Sequence, residues 1–187
     1  MRDEPLAIEL HNTLYASQGK AIDGLADATA AAVWLDALDD RIPADGTGPG
    51  PSRDELIALR TVVREVLQAA IARRTPTRAS IEALNQASAR APRSLAARWR
   101  RDHAPQPVVR HHGARRADIV LSAIAADAIE LITGPALTRI RVCGAPGCVL
   151  VFLKDPRREW CSGPCGNRAR QARHYRRTHG VTQRGRS

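Results

Sequence analysis

The sequence predicts a mainly α-helical N-terminal domain with one short β-hairpin, followed by a small four-cysteine unit that ends in a basic helix. Three observations carry this reading. Leu, Ile, Val and Ala recur at three- and four-residue spacing through the first three quarters of the chain, the periodicity of helices with one apolar face. All four cysteines, Cys143, Cys148, Cys161 and Cys165, fall in the last quarter. The charge divides at the same place: residues 1–138 hold 17 Lys+Arg and 17 Asp+Glu, whereas residues 139–187 hold 12 and 2, so the formal +10 belongs to the second stretch. We therefore divide the chain into domains 1–138 and 139–187.

At 187 residues the chain is long enough for one ordinary domain with a small satellite. Aromatic residues make up only 3%, so any core is built from aliphatic side chains. The longest uncharged stretch, Val142–Leu153, is far short of the roughly 20 apolar residues of a membrane helix. The opening MRDEPLAIEL is acidic and lacks an apolar export core, so the expected location is the cytoplasm, with no membrane partner. A reducing compartment favours metal ligation over disulfides for the cysteines.

Along the chain, Leu6, Leu10 and Leu14 predict a first helix over Leu6–Tyr15, stopped by Gly19. Leu25, Trp34, Leu35 and Leu38 predict a second. Pro43–Ser52 carries three Gly and three Pro and is read as a loop. Ser52 and Glu55 form a capping-box signature opening a helix with Leu56, Leu59, Val63, Val66, Leu67, Ala70 and Ile71 on one stripe. A further helix is expected over Thr77–Ala89, with Ile81 and Leu84 inward. Leu95, Ala97 and Trp99 alternate ahead of Val108–Val109, which predicts a hairpin around Asp102–Pro107. Ala117–Thr133 is a long apolar helix stopped by Gly134–Pro135. The adjacent His111–His112 is read as a solvated connector.

No glycine-rich phosphate loop, nucleophile motif or acid–base pair appears, which argues against an enzyme. His11 and Asn12, with Thr13, place hydrogen-bonding groups within an apolar helix; they are candidates for a small-molecule effector pocket, the other reading being an internal hydrogen-bond network.

The cysteines are spaced Cys-x4-Cys-x12-Cys-x3-Cys. Four thiolates suit one tetrahedral Zn²⁺, and a closed four-cysteine site is structural because no position remains for water. Disulfides, a redox dithiol or an iron–sulfur cluster would use the same residues. Gly144, Pro146 and Gly147 supply the turn in the first pair, Gly163–Pro164 in the second. The intervening Val149–Leu153 is expected to turn at Asp155–Pro156 and return to Trp160 as a hairpin. A knuckle, a hairpin and a helix carrying the last ligand form a treble-clef-like zinc finger. Such a unit is expected to fold with its metal, and chelation to melt it without melting residues 1–135.

After Cys165 the chain holds seven Arg and no acid. Arg168, Arg170, Arg173, His174, Arg176 and Arg177, with Asn167, are the candidate nucleic-acid contacts, and Arg184 and Arg186 extend the charge into the tail. Such a helix gains most from a polyanion, because each neutralised phosphate releases counterions. Arg can bind phosphate or the O6/N7 edge of guanine.

The segment Trp160–Arg168, WCSGPCGNR, resembles the signature of CGNR zinc-finger proteins. LAIELHNTLYASQG with Trp34–Leu35 resembles the ABATE domain that usually precedes that finger. The chain departs from the common pattern at Ser162–Gly163–Pro164 and at Pro156. The resemblance implies a stress-related bacterial transcription regulator with Cys143, Cys148, Cys161 and Cys165 as zinc ligands and Gly166, Asn167 and Arg168 as motif residues.

The leading expectation is a regulator that binds double-stranded DNA through the basic helix, its helical domain sensing a small-molecule effector or forming a homodimer. The alternatives are an RNA-binding protein using the same helix, and a small-molecule-binding protein or enzyme whose finger is a structural or protein-interaction module.

Overall fold

The computed structural model describes residues 4–17, 20–43 and 45–179. The elements, in chain order, are α1 (Leu6–Asn12), β1 (Leu14–Ser17), β2 (Lys20–Asp23), α2 (Ala28–Asp36), α3 (Arg53–Ile71), α4 (Arg78–Ser88), β3 (Arg93–Arg98), β4 (Gln106–His111), α5 (Arg116–Thr133), β5 (Ile140–Val142), β6 (Val151–Leu153) and α6 (Gly163–His179). Gly19, expected to stop the first helix, and the tail residues Arg184 and Arg186 lie outside the described residues.

The core is built around α1. All seven of its residues are buried, Glu9, His11 and Asn12 among them. It packs against α3 and α5, and α4 closes over both of those helices. Ser52 and Glu55 exchange the reciprocal bonds of a capping box at the start of α3, and Thr77 caps α4. Leu56, Leu59, Val63, Val66 and Leu67 meet Ile119, Val120, Leu121, Ile124 and Ala128 of α5 in one aliphatic core.

The first helix is shorter than its leucine spacing suggests. The Thr13 hydroxyl donates back to the Leu10 carbonyl, and the Arg64 guanidinium donates to the carbonyls of His11 and Leu14. These bonds satisfy the free carbonyls of the helix end. Leu14 and Tyr15 therefore belong to β1, which pairs antiparallel with β2 in a hairpin that the periodicity missed. Arg60, 5% exposed, fixes this hairpin through the Asp23 carboxylate, with one bond at 2.8 Å, and through the Thr13 hydroxyl at 3.0 Å. This pairing draws the Asp23 carboxyl down to about 2.

The β3–β4 hairpin forms where it is expected, with Leu95 opposite Val109. Its connection to the body differs from the prediction. His111 is not a solvated connector: its backbone N–H donates to the Asp45 carboxylate at 2.7 Å, and its ring Nδ1 lies 3.1 Å from the same group.

The third two-stranded sheet corrects a second expectation. β6 does not fold back on Trp160. It pairs with β5, ahead of the first cysteine, so the turn holding Cys143 and Cys148 is the loop of that hairpin. Ile140 and Val151 are 2% and 1% exposed and belong to the main core. The change of charge near residue 139 is thus not a change of core.

Candidate metal centre and basic helix

The knuckle is set by its strands. Cys143 N–H donates to the Leu150 carbonyl and Cys148 N–H to the Ala145 carbonyl, which closes a turn around the metal position. Gly147 has φ +72°, a conformation that side chains with a Cβ resist. The second pair comes from the other side: Cys161 precedes α6 and Cys165 lies in its first turn. The Ser162 carbonyl accepts from Gly166 N–H at 3.1 Å.

The four Sγ atoms lie within 4.8 Å of one another, with Cys161–Cys165 at 3.3 Å and Cys148–Cys161 at 3.7 Å. A tetrahedron with Zn–S bonds of about 2.3 Å has edges of about 3.8 Å, so the cluster fits one ion of that size. Electrostatics agree. Burial, and then the neighbouring thiols, push the Cys161 thiol well above its ordinary range. A buried cluster of thiolates therefore needs a cation. Burial also opposes ionisation of Cys165, but Ser162, the adjacent thiols and the Arg168 charge outweigh it and lower that thiol. Arg168 donates to Cys165 Sγ at 3.0 Å, an outer-shell contact of the kind that orients a metal ligand.

A separate small core surrounds the site. Phe152, Ala145 and Ala169 are buried with the cysteines, and Trp160 packs beside them. The close approach of Trp160 explains Gly166, since a Cβ there would lie 3.1 Å from the indole Cδ1. Arg158 ties this core to the helical body. Its guanidinium sits over the Phe152 ring, donates to the Cys161 carbonyl at 2.6 Å and pairs with Glu4, which is 1% exposed. Glu4 also accepts from Leu153 N–H at 3.1 Å. Glu4 and Arg158 carried no motif, and nothing local in the sequence signals their pairing.

His11 and Asn12 occupy the same seam. They are 1% and 2% exposed. The Asn12 amide donates to the Val151 carbonyl at 2.7 Å, and its Oδ1 accepts from Val151 N–H at 2.9 Å. His11 Nδ1 lies 3.1 Å from the same Oδ1. Asn12 thus extends the backbone ladder of β6 from inside α1. Asn12 faces the protein's own strand and His11 bonds to Asn12, which is the internal hydrogen-bond network that was the other reading of this pair.

The candidate nucleic-acid contacts separate into two groups. Asn167, Arg168 and Arg170 are engaged locally: the Asn167 carbonyl oxygen accepts from Arg170, and Arg168 holds the Cys165 sulfur. Arg173, His174, Arg176 and Arg177 lie further along. Ala169 is buried and Ala172 half-buried, but every residue from Arg173 to Thr178 is exposed. At 3.6 residues per turn, Arg170, Arg173, His174 and Arg177 share one side of α6, whereas Arg176 lies along the line of Cys165 and Ala169 and is exposed because it stands beyond the finger core. Among the described residues, Arg173, Arg176 and Arg177 meet no carboxylate.

A helical body carrying a four-cysteine site whose last ligand opens a basic helix defines a zinc-finger protein with one structural zinc. Residues 139–178 match the CGNR zinc finger, and residues 4–135 match the family described as "ABATE: Putative stress-induced transcription regulator". The chain belongs to that ABATE family. No curated protein matches it. Among the described residues, no helix is long and apolar enough to cross a membrane.

Proposed function

We propose that the protein is a transcription regulator that binds duplex DNA through α6. The observation that carries this reading is the placement of the arginines. The zinc-bound turn anchors the N-terminal end of α6, and the helix then leaves the finger core with Arg173, Arg176 and Arg177 in solvent. A helix of this width fits the major groove, and each phosphate it neutralises adds affinity by counterion release. The family description, as a stress-induced transcription regulator, supports the same reading.

In this mechanism the residues divide the work. Bound zinc supplies a rigid joint between the knuckle and the helix. Arg168 holds the Cys165 sulfur, and Arg158 and Asn12 hold the finger against the helical body. Arg173, His174 and Arg177 face the nucleic acid, and Arg176 adds charge at the flank. No residue is assigned a catalytic role.

Arg173→Ala tests this. The zinc-loaded chain, titrated with duplex DNA over a range of salt, should bind more weakly. The slope of log affinity against log salt should fall by about 0.9, the value for one phosphate contact. Unchanged affinity and slope remove Arg173 from the interface, and stronger competition by single-stranded RNA than by duplex DNA would replace the partner.

A further inference from the structure

The even charge of residues 1–138 conceals a local excess. The β3–β4 hairpin with its flanking residues, 93–112, carries Arg93, Arg98, Arg100, Arg101 and Arg110 against the single Asp102. The rest of residues 1–138 then holds 12 basic and 16 acidic side chains. A positive arm stands on a net negative body.

Its geometry is that of a projection. Residues 92–107 are all exposed except the half-buried Ala96. At its base Arg93 lies 3.7 Å from Glu130, and His111 is bonded to Asp45. Two strands of six residues, at about 3.4 Å per residue, extend about 20 Å from that base. Within the body, Arg53, Arg60, Arg78, Arg90 and Arg115 each lie against a carboxylate. Among the described residues, Arg98, Arg100, Arg101 and Arg110 lie against none. Trp99, set between Arg98 and Arg100, is 76% exposed, and Leu95 is 77% exposed.

Four unneutralised guanidinium groups, Arg98, Arg100 and Arg101 beside the solvent-facing indole and Arg110 nearer the base, repel a second copy of the same arm. Two apolar side chains are also far less than the apolar centre of a stable protein interface. The combination suits a nucleic-acid backbone, where Arg takes the phosphates and an apolar ring packs on the sugars between them. A two-stranded ribbon also fits the major groove.

We propose that this arm is a second DNA-contact element, in which Arg98, Arg100, Arg101 and Arg110 bind phosphates and Trp99 packs on the sugars between them. The duplex is then held at two places, by the arm and by α6. The identity of the polyanion rests on the reading of α6, but the arm's residues are independent of it.

The test uses the zinc-loaded full chain and a random-sequence DNA duplex, with affinity measured across a salt series. The arm variant combines Arg98→Ser, Arg100→Ser and Arg101→Ser. The helix variant combines Arg173→Ala and Arg177→Ala. The arm variant is expected to lower the salt slope by about 2.7, the sum for three phosphate contacts, and to weaken binding by at least tenfold at about 0.1 M salt. Trp99→Ala is expected to weaken binding with the slope unchanged, because an apolar contact with the sugars displaces no counterion. Thermal unfolding should be unaltered in both, since the substituted side chains are in solvent. If the arm variant unfolds, Arg101→Ser alone should still lower the slope by about 0.9.

Wild-type affinity and slope in the arm and Trp99 variants, with loss in the helix variant, overturn the arm and leave α6 standing. Loss in the arm variant alone keeps the arm and overturns α6. A wild-type chain that binds no duplex overturns both. If the arm variant keeps DNA binding but loses binding to vesicles of phosphatidylglycerol, or changes the oligomeric state, the arm serves a membrane or a second copy and the proposal fails.

Discussion

Asn12 is the residue whose removal should reach furthest. Its side chain makes both bonds a neighbouring strand would make to Val151, accepting from the N–H at 2.9 Å and donating to the carbonyl at 2.7 Å. Val151 is 1% exposed, so neither group has water to turn to. Asn12→Ala orphans both. A buried polar group left unpaired costs about 1–3 kcal/mol, so the two together cost about 2–6 kcal/mol. That is a large fraction of the 5–15 kcal/mol that typically separates folded from unfolded domains. Asn12→Asp restores the acceptor but sets a buried charge against the Val151 carbonyl, and should be no better. The assay is urea unfolding of the zinc-loaded protein, followed in parallel by far-ultraviolet circular dichroism and by zinc release to a coloured chelator. In the wild type the two signals should coincide, because β6 belongs to both the main core and the zinc-binding hairpin. In Asn12→Ala the midpoint should fall, and zinc should be released before the helices melt. An unchanged midpoint with unchanged zinc retention refutes the claim that Asn12 joins the finger to the body.

Other outcomes follow from the same geometry. Zinc removal should free the Cys143–Cys148 turn and the first turn of α6 while β5 stays docked through Ile140; hydrogen exchange should therefore rise sharply over residues 143–148 and 161–172 but little in α3 and α5. Burial first, and then the Arg64 charge, pull the His11 imidazole from 6.5 down to about 4, so folding favours its neutral form. Its contribution is complete above pH 6.5 and is lost as pH falls through 4. The change is on the order of 3 kcal/mol, and His11→Gln should flatten the pH dependence of stability in that window.

The family resemblance and the metal-ligand spacing were legible because they are local. Cys-x4-Cys and Cys-x3-Cys each span a turn, and CGNR follows directly at the helix start. The capping box of α3 and the apolar stripe of α5 were legible for the same reason. The shorter α1 was not, because its end depends on Arg64, whose bonds to His11 and Leu14 span 53 and 50 residues. The hairpin partner of β6 was also misassigned. Val149–Leu153 can pair on either side, and the choice is made by burial of Ile140 and Val151 against the main core.

The exposed arm and the seam mark the limits of the sequence in opposite directions. Alternation along Leu95, Ala97 and Trp99 determines strands but not what they face, and here they face water on a basic projection. His11 and Asn12 stand out as polar groups in an apolar helix, yet the partner that gives Asn12 its role lies 139 residues away. What the sequence by itself determined was therefore the helices, the ligand set and the basic character of α6, all set by neighbours a few residues apart. Only the tertiary structure decided that Ile140 and Val151 of the finger's hairpin enter the body's core and that Arg98, Arg100, Arg101 and Arg110 stand apart from any carboxylate among the described residues, because burial and charge pairing depend on which distant segments meet.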